Sequence, residues 1–161
     1  MIHKHRHTLP SVLLLLQARR LSFYDYLHLQ TETVRSHVAW LGLLPRMDFA
    51  VCLHEDWEAL GFYLYELNPD NQPSASPAII ERVRAVCPID TSAQIEGREA
   101  RGGIIRADPD PKSRAQWPEA FYLVNHKTRL SYTLEAPSDF PLQVRVNALV
   151  AALEIALHHS P

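Results

Sequence analysis

At 161 residues, with 47% hydrophobic and 21% charged side chains, the chain has an ordinary globular composition and enough length to bury roughly 70% of the surface its unfolded form exposes. This excludes the low-hydrophobicity signature of disorder. Cys52 and Cys87, 35 positions apart in apolar stretches, match neither a disulfide framework nor a zinc motif and are expected as reduced core thiols of a cytoplasmic protein. Net charge is only −2, yet residues 1–46 carry +4 and the remainder −6, an asymmetry that fits an anionic partner for the N-terminal part or a basic helical surface beside an acidic one.

The chain opens MIHKHRHTLPSVLLLLQARRLS. Its apolar run, Val12 to Leu16, is too short for a secretory signal and is followed by Arg19 and Arg20 without a small-residue cleavage site. A transit peptide is compatible with the lack of an acid before Asp25. No stretch offers the roughly 20 apolar residues of a bilayer span, so no membrane partner is expected. Residues 1–10 are expected to be flexible. Within them His3, His5 and His7 alternate and would share one face of an extended segment, the only weak metal candidate in the chain.

Pro10 and Ser11 can start a helix over Val12 to Arg20. A second is expected from Thr31 to Leu43, with Val34, Val38 and Leu41 on one face, ended by Pro45. Together they make an N-terminal helical hairpin. The period then drops to two: Phe49, Val51 and Leu53, then Leu60, Phe62 and Leu64, read as two strands of a hairpin turning through Glu55-Asp56-Trp57-Glu58. Ser76 as N-cap and Pro77 start a helix carrying Ile79, Ile80, Val83 and Val86, which stops before Pro88. Residues 89–118 read as a long irregular segment, interrupted only by a short edge strand near Gly102 to Arg106. A second hairpin is expected from Phe121 to Val124 and Leu130 to Leu134. The last helix, Leu142 to His158, repeats apolar residues at Leu142, Val146, Leu149, Val150, Leu153 and Leu157, a stripe wide enough to cover a sheet or to be shared with a partner. The whole predicts one α+β domain spanning 1–161: an antiparallel sheet of four to five strands, covered by helices on one side, with the helical hairpin at its N-terminus.

Chemistry is sparse. His54-Glu55-Asp56-Trp57-Glu58 gathers an imidazole and three carboxylates, but as a tight turn it should be solvated. No serine stands in a G-x-S-x-G context, neither cysteine has a neighbouring histidine, and five glycines form no phosphate-binding loop. No catalytic residue and no cofactor is therefore assigned.

One segment, SVLLLLQARRLSFYDYLHLQTETVRSHVAWLGLLPR, resembles the helix-turn-helix of winged-helix regulators: Leu29, then Thr31 to Thr33 at the turn, then Val34, Val38 and Leu41 as the buried face. The resemblance implies nucleic-acid contact through residues 11–46, with Thr31, Glu32, Thr33, Arg35, Ser36 and His37 facing groove or phosphates, and Arg19 and Arg20 adding charge. The Leu21 to Leu29 segment is about three residues short of the usual second helix and its turn.

These observations favour a non-catalytic intracellular protein-interaction domain, such as an adaptor, effector-binding chaperone, immunity protein or regulatory subunit, whose partner is another protein or a second copy of itself. The alternatives are a DNA-binding regulator and a small enzyme whose site is assembled only in space.

Overall fold

The computed structural model describes residues 12–16, 32–110, 112 and 118–159. The run VLLLL forms a strand, β1 (Val12–Leu16), followed by helix α1 (Glu32–Leu43) and strand β2 (Phe49–Asp56). β1 lies parallel to β2 with Val12 opposite Phe49 and Leu16 opposite Leu53. The expected N-terminal helical hairpin is thus replaced by a β-α-β unit, and Val12–Leu16, within the range assigned to the first helix of a helix-turn-helix, is a strand; the rest of that range lies outside the described residues. An unbroken apolar run without polar interruptions is what a strand of a parallel sheet requires, whereas it carries no helical period. Lys127, itself buried, ends α1 by donating from Nζ to the carbonyls of Gly42 and Leu44 at 2.9 and 2.7 Å, a cation placed where a helix leaves acceptors unmet.

The remaining elements are β3 (Tyr63–Leu67), α2 (Ser76–Arg84), the short strands β4 (Gln94–Ile95), β5 (Arg98–Glu99) and β6 (Ile104–Arg106), α3 (Glu119–His126), β7 (Ser131–Pro137) and α4 (Leu142–His159). The main sheet has the order β1-β2-β7-β3-β6. β7 runs parallel to β2 and antiparallel to β3, and β6 runs parallel to β3. The sheet is therefore mixed, correcting the antiparallel expectation. β2 and β3 do not form a hairpin because β7 is inserted between them, and every residue of β7 is buried. Such a central strand needs cover on both faces, and it has it.

On one face Phe49, Val51, Leu64, Tyr132 and Leu134 meet α2 and α4; on the other Ala50, Cys52 and Leu67 meet α1 and α3. Helices cover both sides rather than one. The segment Phe121 to Val124, expected as a strand, belongs to α3, where Ala120, Phe121, Leu123 and Val124 are buried at helical spacing. Four apolar residues in a row do not distinguish the two structures. Residues expected to be irregular after position 89 include a β4–β5 hairpin whose turn, Glu96-Gly97, has φ of 49° and 69°, the pair of positive values that a tight two-residue hairpin requires. Gly61 lets the chain before β3 approach the segment after α2: Phe62 N donates to Pro88 O at 2.8 Å, and a Cβ on Gly61 would lie 2.7 Å from Asp90 N.

α2 begins one residue from the expected boundary, with Ser76 inside the helix and its hydroxyl donating to the buried carboxylate of Glu66 at 2.7 Å. α4 occupies the expected range but turns a different face to the sheet. Ala148, Ala151, Ala152 and Ala156 are 0–4% exposed, whereas Leu142, Val146, Val150 and Leu157 are 65, 42, 50 and 39% exposed. Leu149 and Leu153 lie between, at the edge of the core. The apolar stripe therefore faces outward at Leu142, Val146, Val150 and Leu157 and touches the core only at Leu149 and Leu153, because alanine lets the helix approach the sheet closely and the larger residues do not fit between them.

A candidate interaction surface and a buried polar cluster

The outer face of α4 is the most extensive run of exposed large apolar residues among the described ones, four positions on one helix. A helix with apolar residues on two faces satisfies only one of them by docking on its own sheet. The flanks of the stripe are polar. Gln143 Nε2 donates to Asn147 Oδ1 at 2.8 Å, Arg145 reaches Glu55 at the end of β2 at 2.6 Å, and Glu154 stands 3.6 Å from Arg82 on α2. An apolar strip rimmed by polar groups is the ordinary anatomy of an interface.

The opposite layer of the molecule contains buried polar side chains. His54 and Glu135 sit near the carboxyl ends of the parallel strands β2 and β7 with Nδ1 and Oε1 3.7 Å apart, and only 11% and 6% of the two side chains is exposed. The separation suits an ion pair, but burial drives both groups toward neutrality. It lowers the imidazole to about 4, and it raises the Glu135 carboxyl well above the usual range, with Glu96 and Asp56 adding to the rise. Tyr63 donates to Asp56 Oδ2 at 3.0 Å and Tyr65 donates to Glu96; burial raises both phenols above their ordinary values. In the same layer His37 Nε2 lies 2.6 Å from Glu119 Oε1. The Cys52 thiol, raised by burial and then by Glu119, is an inert core thiol rather than a nucleophile. At the other end of the sheet an open depression of about 310 Å³ is lined by Arg46, Met47, Asp48, Gln72, Thr128 and Arg129, with Arg129 held in a two-pronged pair by Asp70.

Of the sequence-derived nucleic-acid set, Arg35 and Ser36 are exposed on α1, while His37 turns inward to Glu119. Thr33 falls within α1. Arg19, Arg20 and Thr31, and the candidate ligands His3, His5 and His7, lie outside the described residues. The H-E-D-W-E segment is solvated at Glu55, Trp57 and Glu58, as its charges suggest, but not at His54. His54 is largely buried, Glu55 pairs with Arg145 across the sheet from it, and Asp56 accepts from Tyr63 and from the Glu58 amide. Glu135, Glu119 and the two tyrosines were missed. The available signal was a glutamate inside the otherwise uncharged strand SYTLEAP, since carboxylates are rarely fully buried unless they have partners.

Comparison with known proteins places the fold only. No protein-family model and no curated protein matches the sequence. Solved structures do match: a putative metallopeptidase from Shewanella amazonensis SB2B (22% identity, TM-score 0.65, covering 81% of this chain and 48% of that one), one from Shewanella baltica OS155 (21%, 0.65, 81% and 48%) and one from Shewanella denitrificans OS217 (21%, 0.63, 80% and 47%). The chain spans about half the length of each. Among the described residues no three His, Cys, Asp or Glu side chains are arranged to hold a metal ion, and the H-E-x-x-H sequence that places two zinc-binding histidines on one helix face does not occur in the 161 residues. No helix among the described residues is long and apolar enough to cross a membrane.

Proposed function

We propose that this chain is a non-catalytic protein-interaction domain that engages its partner through the outer face of α4. The observation that carries the reading is the inverted distribution of side-chain size on that helix, alanines against the sheet and leucines and valines in water. Fully burying a Leu or Val side chain contributes roughly 1.5–3 kcal/mol, so covering four exposed ones supplies a substantial driving force for association. An intracellular setting is part of the same reading, supported by two free, buried cysteines. The test is site-specific photo-cross-linking in cells producing the full chain. A cross-linker at Val150 is expected to give a discrete adduct that is absent with the cross-linker at Glu81, on the exposed side of α2. Equal labelling at both positions contradicts the reading.

A second reading rests on His54 and Glu135. An imidazole beside a carboxyl, both driven toward neutrality by burial, at the carboxyl ends of parallel strands, is an arrangement suited to proton transfer. It is tested with a panel of chromogenic ester, amide and phosphoester substrates. Turnover lost in both Glu135→Gln and His54→Gln supports it, and no turnover, or turnover indifferent to both substitutions, removes it.

A further inference from the structure

The depression of about 310 Å³ lies at the amino-terminal end of β2, where the α1–β2, β3–α2 and α3–β7 connections meet. His54 sits near the other end of the same strand. The volume is at the low end of the roughly 300–1,000 Å³ of small-molecule sites, so it suits a ligand of few atoms. Its walls are already fixed. Asn68 brackets Gln72, with Nδ2 donating to the Gln72 carbonyl at 2.9 Å and Oδ1 accepting from the Gln72 amide at 2.9 Å. The Thr128 hydroxyl donates to the Asp48 carbonyl at 3.0 Å, and the Met47 amide to the Lys127 carbonyl at 2.8 Å. Arg129 is a wall and not a free cation: Asp70 takes its Nε and Nη2 at 3.0 and 2.8 Å, and the Val124 carbonyl accepts from Nη1 at 3.4 Å. A site ordered in advance gives up little freedom when a ligand enters.

Two lining side chains remain uncommitted among the described residues, the exposed guanidinium of Arg46 and the carboxamide of Gln72. Asp48, two positions from Arg46 and also exposed, supplies the opposite charge. It has an interaction of its own, but a carboxylate has acceptor sites to spare. Because Asp70 cancels Arg129, the depression sets one guanidinium against one carboxylate. A dianion meets no excess of positive charge there, and a lone amine no excess of negative charge. A ligand with both charges matches: its carboxylate lies on the planar fork of Arg46 with the Gln72 amide donating to it, and its ammonium lies on Asp48. Met47 gives the remaining wall an apolar surface. We infer that this depression binds a small zwitterion, a free α-amino acid with an apolar side chain, independently of whatever α4 engages.

The experiment titrates the isotope-labelled full chain with L-leucine, with isocaproate, which lacks the ammonium, with isoamylamine, which lacks the carboxylate, and with inorganic phosphate, following backbone amide resonances. Leucine is expected to move the Met47, Gln72 and Arg129 amides saturably and to bind at least about tenfold more tightly than the other three probes, since a charge-assisted contact is worth about that factor. Arg46→Gln and Asp48→Asn should each weaken leucine by about tenfold with an unchanged melting temperature, because both side chains are exposed. No saturable shift at those amides overturns the inference. So does isocaproate, isoamylamine or phosphate binding as tightly as leucine, or leucine binding both variants as it binds the wild type.

Discussion

The two faces of α4 are both apolar and differ in size of residue. The inner face presents Ala148, Ala151, Ala152 and Ala156 to the sheet, and the outer face presents Leu142, Val146, Val150 and Leu157 to water. The inner face serves close approach, since packing at crystal-like density leaves little room for a longer side chain between helix and strand. The outer face serves no contact within the described chain that would account for its size. A helix can thus carry its strongest apolar signal on the side that its own fold does not use.

One substitution made on both faces exposes this difference at its largest. Ala152→Asp would place an unpaired carboxylate in the core, costing about 4 kcal/mol or more, and is expected to yield no cooperative thermal transition. Val150→Asp is expected to keep monomer stability within about 0.5 kcal/mol of wild type while abolishing association. If both variants melt alike, the assignment of inner and outer faces is wrong.

The polar layer across the sheet from α4 makes the next largest prediction. His54 titrates at about 4 in the folded chain against 6.5 as an ordinary imidazole. As pH falls, the unfolded chain therefore binds the proton first. Stability present above pH 6.5 is lost between 6.5 and about 4, by on the order of 3 kcal/mol at about 1.4 kcal/mol per unit. Glu135 acts in the opposite direction. Its folded value is raised, so the unfolded chain loses its proton first, and stability present below about pH 4.5 is lost as pH rises through the folded value. Denaturant titrations across pH should show His54→Gln flattening the acid limb and Glu135→Gln the alkaline one. Unchanged limbs would mean that the α4 layer alone governs stability.

Leu149→Ala, on the boundary between the two faces, should cost about 1–2 kcal/mol, below the 2–5 kcal/mol of a full core cavity. A larger loss measured by denaturant unfolding would place Leu149 in the core. The smallest effect belongs to Leu142→Ser, within about 0.5 kcal/mol in the monomer.

Local elements were legible in the sequence where period and boundary agreed. α4, α2 and the strands β2, β3 and β6 fall close to the expected positions because Pro77, Pro88 and the alternation around Val51 and Phe62 mark them. Pairing was not legible, since β7 enters between β2 and β3 from about 70 positions further along the chain, and nothing local to Glu55-Asp56-Trp57-Glu58 announces that insertion. VLLLL and FYLV are too short to carry a period, so one strand was read as helix and one helix as strand. The polar cluster was illegible for the same reason as the sheet order. His54, Tyr63 and Glu135 become neighbours only through the β2-β7-β3 register. The stripe on α4 was legible as one that could cover a sheet or be shared with a partner, but not the alanine face that takes the sheet side, because hydrophobicity ranks leucine above alanine whereas close packing against a sheet reverses the order.

The most direct test is site-specific photo-cross-linking in cells producing the full chain, with the cross-linker at Val150 and, as a control, at Glu81 on the exposed side of α2. The account predicts a discrete adduct from Val150 that is absent from Glu81. No adduct from Val150, or equal labelling at both positions, contradicts it.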